Sequence, residues 1–183
     1  IGTYGLLVTM QEMIARNYSI GEVDSVTGPT IGRPKSATFR TLDVVGLDTF
    51  AHVAKNVYEK TTGEEQAVFE ESPILNKMIQ NGWIGAKNGQ GFFKKEGKEI
   101  LELNLSTFEY EPVKKLKAPS LEMAKQVKGL NNRVKTLVYA NDRVGELLWN
   151  IFAPTLVYSA ELTGEIADDI LAIDNAMKWG FGW

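Results

Sequence analysis

The chain has 183 residues, 20 of them basic and 23 acidic, for a net charge of -3, and it contains no cysteine. That length can hold one ordinary domain or two small ones with a real core, and the charge balance offers no basic block that would track a nucleic-acid backbone, so nucleic acid is not an expected partner. Without cysteine there are no disulfide frameworks, thiolate nucleophiles or cysteine metal sites, a usage that fits a cytoplasmic protein.

In chain order, Leu6, Leu7, Met10, Met13 and Ile14 follow the i, i+3, i+4, i+7 spacing of a helix with one buried face. Ser19 and Glu22 have the spacing of a capping box for a short helix carrying Val23 and Val26, which Gly28-Pro29 stops. Asp48 has the chemistry of an N-cap for the next helix, whose Phe50, Val53, Ala54 and Val57 share a face. Ser72-Pro73 opens another, with Ile74, Leu75, Met78 and Ile79 inward and Asn81-Gly82 at its end.

Residues 83–118 change character. Gly85, Gly89 and Gly91 punctuate a loop, and Phe92-Phe93 with Ile100 to Leu103 reads as a small β-hairpin turning at Glu96-Gly97. The basic, proline-bounded stretch from Glu111 to Pro119 reads as a linker. Helical pattern resumes at Ser120, and a long helix is expected from about Asp142 to Glu161, kinked at Pro154. A shorter helix follows from about Ile166 to Met177, with Ile166, Ile170 and Ile173 on one side. The longest apolar stretch, Leu147 to Ala160, falls short of the ~20 residues of a membrane span, and no signal peptide is visible. The chain starts on Ile1 and stops on Trp183 inside a motif, so both ends are expected to be cut.

The two helical blocks share an order. Ile1-Gly2 aligns with Val144-Gly145, Asp24 with Asp174 and Gly32 with Gly182; the offsets of 143 and 150 differ by seven residues, about two helical turns. The division expected from this weak repeat is a first helical copy with the hairpin over 1–110, a linker over 111–119 and a truncated second copy over 120–183.

No constellation in the sequence carries a reaction by itself. His52, the single histidine, lies on a helix among apolar neighbours and reads as a surface residue rather than a general base. The glycines at 85, 89 and 91, flanked by Lys87 and Lys94, lack the Gly-Lys-Ser/Thr ending of a phosphate loop and read as turn formers. No glycine-rich dinucleotide fingerprint follows a strand, and no metal site is suggested. The stretch Gly32 to Phe39 has more chemistry: Pro29 and Pro34 stiffen a loop, and Arg33, Ser36 and Thr38 stand at the approach to a helix N-terminus, a place that favours anions or carbonyl oxygens.

The order Gly32-Arg33-Pro34-Lys35-Ser36-Ala37-Thr38-Phe39 followed by Asp43-Val44-Val45-Gly46-Leu47-Asp48 resembles the C-terminal domain of the 3-hydroxyacyl-CoA dehydrogenases. Ser72 to Met78 and Gly85 to Phe93 resemble that domain's closing segment, and Asp174 to Trp183 starts the same pattern again. Two departures stand out: Ala37-Thr38-Phe39 replaces the usual Gly-Pro-Phe with one extra residue after Pro34, and Asn141-Asp142-Arg143 resembles the domain junction without a cofactor domain before it, so Asn141 is expected to be a helix cap.

The resemblance implies a mainly α fold, the 6-phosphogluconate-dehydrogenase-C-terminal-like helical domain, partly duplicated and with a small β-hairpin. It implies NAD as cofactor, bound by an upstream Rossmann domain that also carries the catalytic residues, and no cofactor in this chain. It further implies an acyl-CoA substrate, with Arg33, Pro34, Ser36 and Phe39 on the substrate side, and a helical region that closes over the acyl chain and makes the dimer-type interface of a homo-oligomer. Some longer members also carry an enoyl-CoA hydratase domain further on. The rival reading is a non-enzymatic helical interaction module.

Overall fold

The computed structural model describes all 183 residues, Ile1–Trp183. Helices α1 (Gly2–Ala15), α2 (Ile20–Thr27), α3 (Phe39–Val45), α4 (Leu47–Tyr58), α5 (Gly63–Val68) and α6 (Pro73–Gln80) come first. Strands β1 (Phe93–Glu96), β2 (Glu99–Leu103) and β3 (Tyr110–Pro112) form an antiparallel sheet in that order, with Phe93 opposite Glu102 and Leu103 opposite Tyr110. Helices α7 (Pro119–Gln126), α8 (Leu130–Val138), α9 (Arg143–Glu161) and α10 (Ile170–Gly180) complete the chain. The architecture is thus mainly helical with one small sheet. No helix is long and apolar enough to cross a membrane.

Local signals place most of these elements. Ser19 Oγ accepts from the Glu22 N–H and the Glu22 carboxylate accepts from the Ser19 N–H, closing the capping box at the start of α2. Ser72 Oγ accepts from the Leu75 N–H with Pro73 in the first turn of α6. Helix α9 runs through Pro154 and is capped by Asp142, whose Oδ1 accepts from the Val144 and Gly145 N–H groups.

Several expectations need correction. Asp142, not Asn141, caps α9. Gly46, at φ 96°, sits at the N-cap of α4 and moves Asp48 into the first helical turn, where it pairs with Lys87 at 2.8 Å instead of capping. Ile14 and Val53 face solvent at 46% and 41% exposure, each at the edge of its helix's apolar face. Asp169 accepts from the Ala172 N–H, so the last helix starts at Ile170 rather than near Ile166, and of its expected apolar side only Ile173 is buried. Glu111 and Pro112, expected in a linker, pair with β2 and turn the hairpin into three strands. That register puts Tyr110 beside Trp83, ring centroids 5.6 Å apart, so the sheet packs on the loop after α6.

The core sits between α1 and α9. Tyr4 near the start of α1 stacks on Tyr158 near the end of α9 at 4.0 Å, while Glu12 near the end of α1 accepts from Asn150 at 3.0 Å; the two helices are therefore antiparallel. One cluster of 27 buried hydrophobic residues runs from Leu6 through Phe39, Phe92 and Leu116 to Leu147, Ile151 and Tyr158. Residues from 1–110, 111–119 and 120–183 share this core, and burying it is the main source of folding free energy.

Candidate functional site

The loop between α2 and α3 is where the sequence places its chemistry. Helix α2 ends at Gly28, a short 3-10 turn runs over Pro29–Ile31, and Gly32 follows at φ 83°. A side chain at Gly32 would be strained by that φ and would meet Leu130 of α8. Arg133, also on α8, donates from Nε to the Thr30 carbonyl at 3.0 Å. The loop is therefore clasped by the far half of the chain.

Its inner end is held by Asp24. One carboxylate oxygen accepts the N–H groups of Thr38 (3.1 Å) and Phe39 (2.8 Å), and the other accepts that of Arg40 at 3.0 Å. These are the orphan donors of the first turn of α3, which has no side-chain cap of its own. The helix terminus expected to attract an external anion is thus already filled by an internal one. Burial pushes the Asp24 carboxyl up to about 7, against the opposing pull of the three backbone donors.

Two more buried carboxylates continue the same device. Asp43, 5% exposed on α3, accepts the N–H groups of Phe92 and Phe93 at 2.8 Å each, and burial raises it to about 6. Glu102 on β2, fully buried, accepts the Gly21 N–H at the start of α2, and burial raises its carboxyl as well. Asp24 ties α2 to α3, Asp43 ties α3 to β1, and Glu102 ties β2 back to α2. These three carboxylates close a ring around the loop. Gly85 and Gly91 serve it, since a methyl at either would land on Asp43.

The four residues expected on the substrate side are not equivalent. Phe39 is fully buried and packs edge-on against Phe92 with ring centroids 4.8 Å apart, so it supports the loop from beneath. Ser36 is half-buried with its Oγ 2.8 Å from Thr41 Oγ1. Pro34 is exposed beside Gly182. The Arg33 guanidinium lies over two aromatic rings, 3.6 Å from the Trp183 ring centroid and 5.2 Å from that of Phe152. Thr38 is buried, its hydroxyl donating to Thr27 Oγ1 at 2.9 Å. His52 is exposed on α4. No group of three or more His, Asp or Glu side chains converges as metal ligands would. The Asp24–Asp43–Glu102 ring escapes the sequence reading because each carboxylate acts on a backbone 14 to 81 residues away, beyond any local spacing.

The profile of the 3-hydroxyacyl-CoA dehydrogenase C-terminal domain matches residues 4–95, which run from within α1 to within β1 and contain this whole loop. The chain belongs to the 3-hydroxyacyl-CoA dehydrogenase family. It is 66% identical, over all of its 183 residues, to a probable 3-hydroxyacyl-CoA dehydrogenase of Bacillus subtilis (strain 168), of which it covers 23%. Over 107 residues, 58% of this chain and 30% of the relative, it is 41% identical to a probable 3-hydroxyacyl-CoA dehydrogenase of Deinococcus radiodurans. It is 23% identical over 189 aligned residues, all of this chain and 25% of the relative, to a Rickettsia prowazekii protein provisionally described as a fatty acid oxidation complex trifunctional enzyme. The chain spans about a quarter of the length of the curated relatives that it matches throughout. No solved structure matches it.

Proposed function

We propose that this chain is the substrate-closing helical part of an NAD-dependent 3-hydroxyacyl-CoA dehydrogenase that converts 3-hydroxyacyl-CoA to 3-oxoacyl-CoA in fatty-acid β-oxidation. The observation that carries the reading is the family match over residues 4–95, which includes the whole α2–α3 loop. That loop is held from within by Asp24 and supported from beneath by Phe39, which supports a preformed surface rather than one that must order around its ligand. Pro34 is exposed on this loop, with Arg33 and Ser36 part-buried on either side, and we place the acyl-CoA there. Phe39 contributes as a fully buried prop and not as a contact.

The residues of this chain do not fit NAD. The sheet is antiparallel and carries no glycine-rich turn into a helix, so nothing here would cradle a dinucleotide pyrophosphate. In this reading an upstream Rossmann domain of the same polypeptide binds the cofactor and supplies the reacting groups, while this region positions substrate and excludes water. The second helical stretch, 120–183, acts as a truncated second copy. The paired antiparallel α1 and α9, and the left-handed glycines at Gly32 and Gly182, support that reading. It fills the place that a partner subunit would take in a homo-oligomer.

The test is NADH oxidation with acetoacetyl-CoA, comparing this chain with a longer one that includes the upstream domain. Activity confined to the longer form is expected. A folded longer form with no activity would leave the helical interaction module as the better reading.

A further inference from the structure

Arg33 has a buried polar atom that the fold leaves unserved. Its Nη1 is buried without a hydrogen-bond partner, and none of the ion pairs in the chain includes Arg33. Three other arginines find oxygen partners, Arg16 and Arg143 on glutamates and Arg133 on backbone carbonyls; Arg40 also lacks an ion pair and lies over the Phe93 ring, but it is exposed to water. Burial lowers the Arg33 pKa to about 10, with no acid to oppose it, so the group is still a cation at neutral pH.

What the fold does provide is two aromatic faces. Trp183 lies 3.6 Å from the guanidinium carbon and Phe152 lies 5.2 Å away. A ring face attracts the charge, yet it supplies no oxygen for the N–H groups in the guanidinium plane. A desolvated cation held over aromatic rings, with one of its N–H groups unpaired, is suited to an oxygen arriving at that group. The rings come from α9 and the final residues, whereas Arg33 belongs to the α2–α3 loop. Trp183 is itself wedged beside Gly5 of α1, where an added methyl would stand 3.1 Å from its ring.

We propose that Arg33 is the arm that binds an oxygen of the acyl-CoA, and that Phe152 and Trp183, from the far half of the chain, are the positioning residues that hold it. This rests on the acyl-CoA reading above. The oxygen belongs either to a phosphate of the CoA moiety or to the thioester carbonyl. The second helical stretch thereby completes the site on the first.

The experiment uses the whole polypeptide that carries these residues, with acetoacetyl-CoA and with acetoacetyl-N-acetylcysteamine, which keeps the thioester but has no phosphate. Arg33→Met should raise KM about ten-fold with kcat nearly unchanged, the loss of one charge-assisted hydrogen bond. An effect on the CoA ester alone assigns the oxygen to phosphate; an equal effect on both assigns it to the carbonyl. Trp183→Ala should reproduce much of the rise and Trp183→Phe should reverse it, while Arg33→Met with Trp183→Ala together should be no worse than Arg33→Met. Additive effects would make Trp183 merely structural and overturn its positioning role. Arg33→Lys, which keeps the charge but loses the planar fork, checks that a KM effect is not misfolding: a rise smaller than that of Arg33→Met supports the arm. Wild-type turnover with an unchanged KM in Arg33→Met overturns the Arg33 assignment alone. A folded wild-type polypeptide that turns over neither ester overturns the acyl-CoA reading and this proposal together.

Discussion

Replacing Asp24 by alanine removes the acceptor for three N–H groups of the α3 terminus. Thr38 and Phe39 are both fully buried, so water cannot take over at their amides, whereas Arg40 is exposed and its amide can be resolvated. Two buried donors left unpaired cost ~1–3 kcal/mol each, and relief from burying a carboxylate returns part of that. We expect a net loss of about 3 kcal/mol, read as a lower urea midpoint with an unchanged slope, and a drop of roughly 6–12 °C in Tm. A loss below ~1 kcal/mol would refute the claim that this carboxylate holds the loop. Asp24→Asn separates charge from geometry, since its amide oxygen can still serve Thr38 and Phe39. The sign of the pH effect follows from linkage. The folded carboxyl titrates at about 7 against an ordinary 3.8, so the folded state binds the proton more tightly. Its contribution is fully present below about pH 4 and is lost as pH rises through 7. Asp43 titrates at about 6, so the decline between pH 6 and 7 belongs mainly to Asp24 and should flatten in Asp24→Asn. An unchanged slope there would show that Asp24 is not the group responsible.

Phe39→Ala should cost about 3–5 kcal/mol in chemical denaturation, because the ring is fully buried against Phe92 and leaves a cavity. Gly21→Ala places a methyl on the Glu102 carboxylate and the Lys114 carbonyl, and should cost ~2–4 kcal/mol and raise amide exchange across β2 and β3; exchange unchanged in those strands would argue against the tie. Lys87→Ala breaks only an exposed pair with Asp48, and its effect on the urea midpoint should correspond to less than ~1 kcal/mol.

The sequence by itself determined the elements whose signals are local. The Ser19–Glu22 box, the Ser72-Pro73 start and the helix spanning Pro154 all depend on residues within one turn, and the resemblance around Gly32 to Asp48 led to the right family. Apolar spacing also picked most of the α1 core, failing at Ile14 because periodicity fixes a face but not how wide a strip of it the neighbours cover. Tertiary structure decided the rest. Asp24, Asp43 and Glu102 look like any helix or strand carboxylate until folding brings distant amides to them. Arg33 reads as a residue of an anion-binding loop until α9 and the last residues bring two aromatic rings against it. Phe39, chosen as a contact, is drawn into the core by Phe92, 53 residues later. The physical reason is common to all three. A side chain's partner across the fold is selected by packing and desolvation, which depend on what the whole chain buries, whereas caps and apolar periodicity depend only on neighbours along one turn.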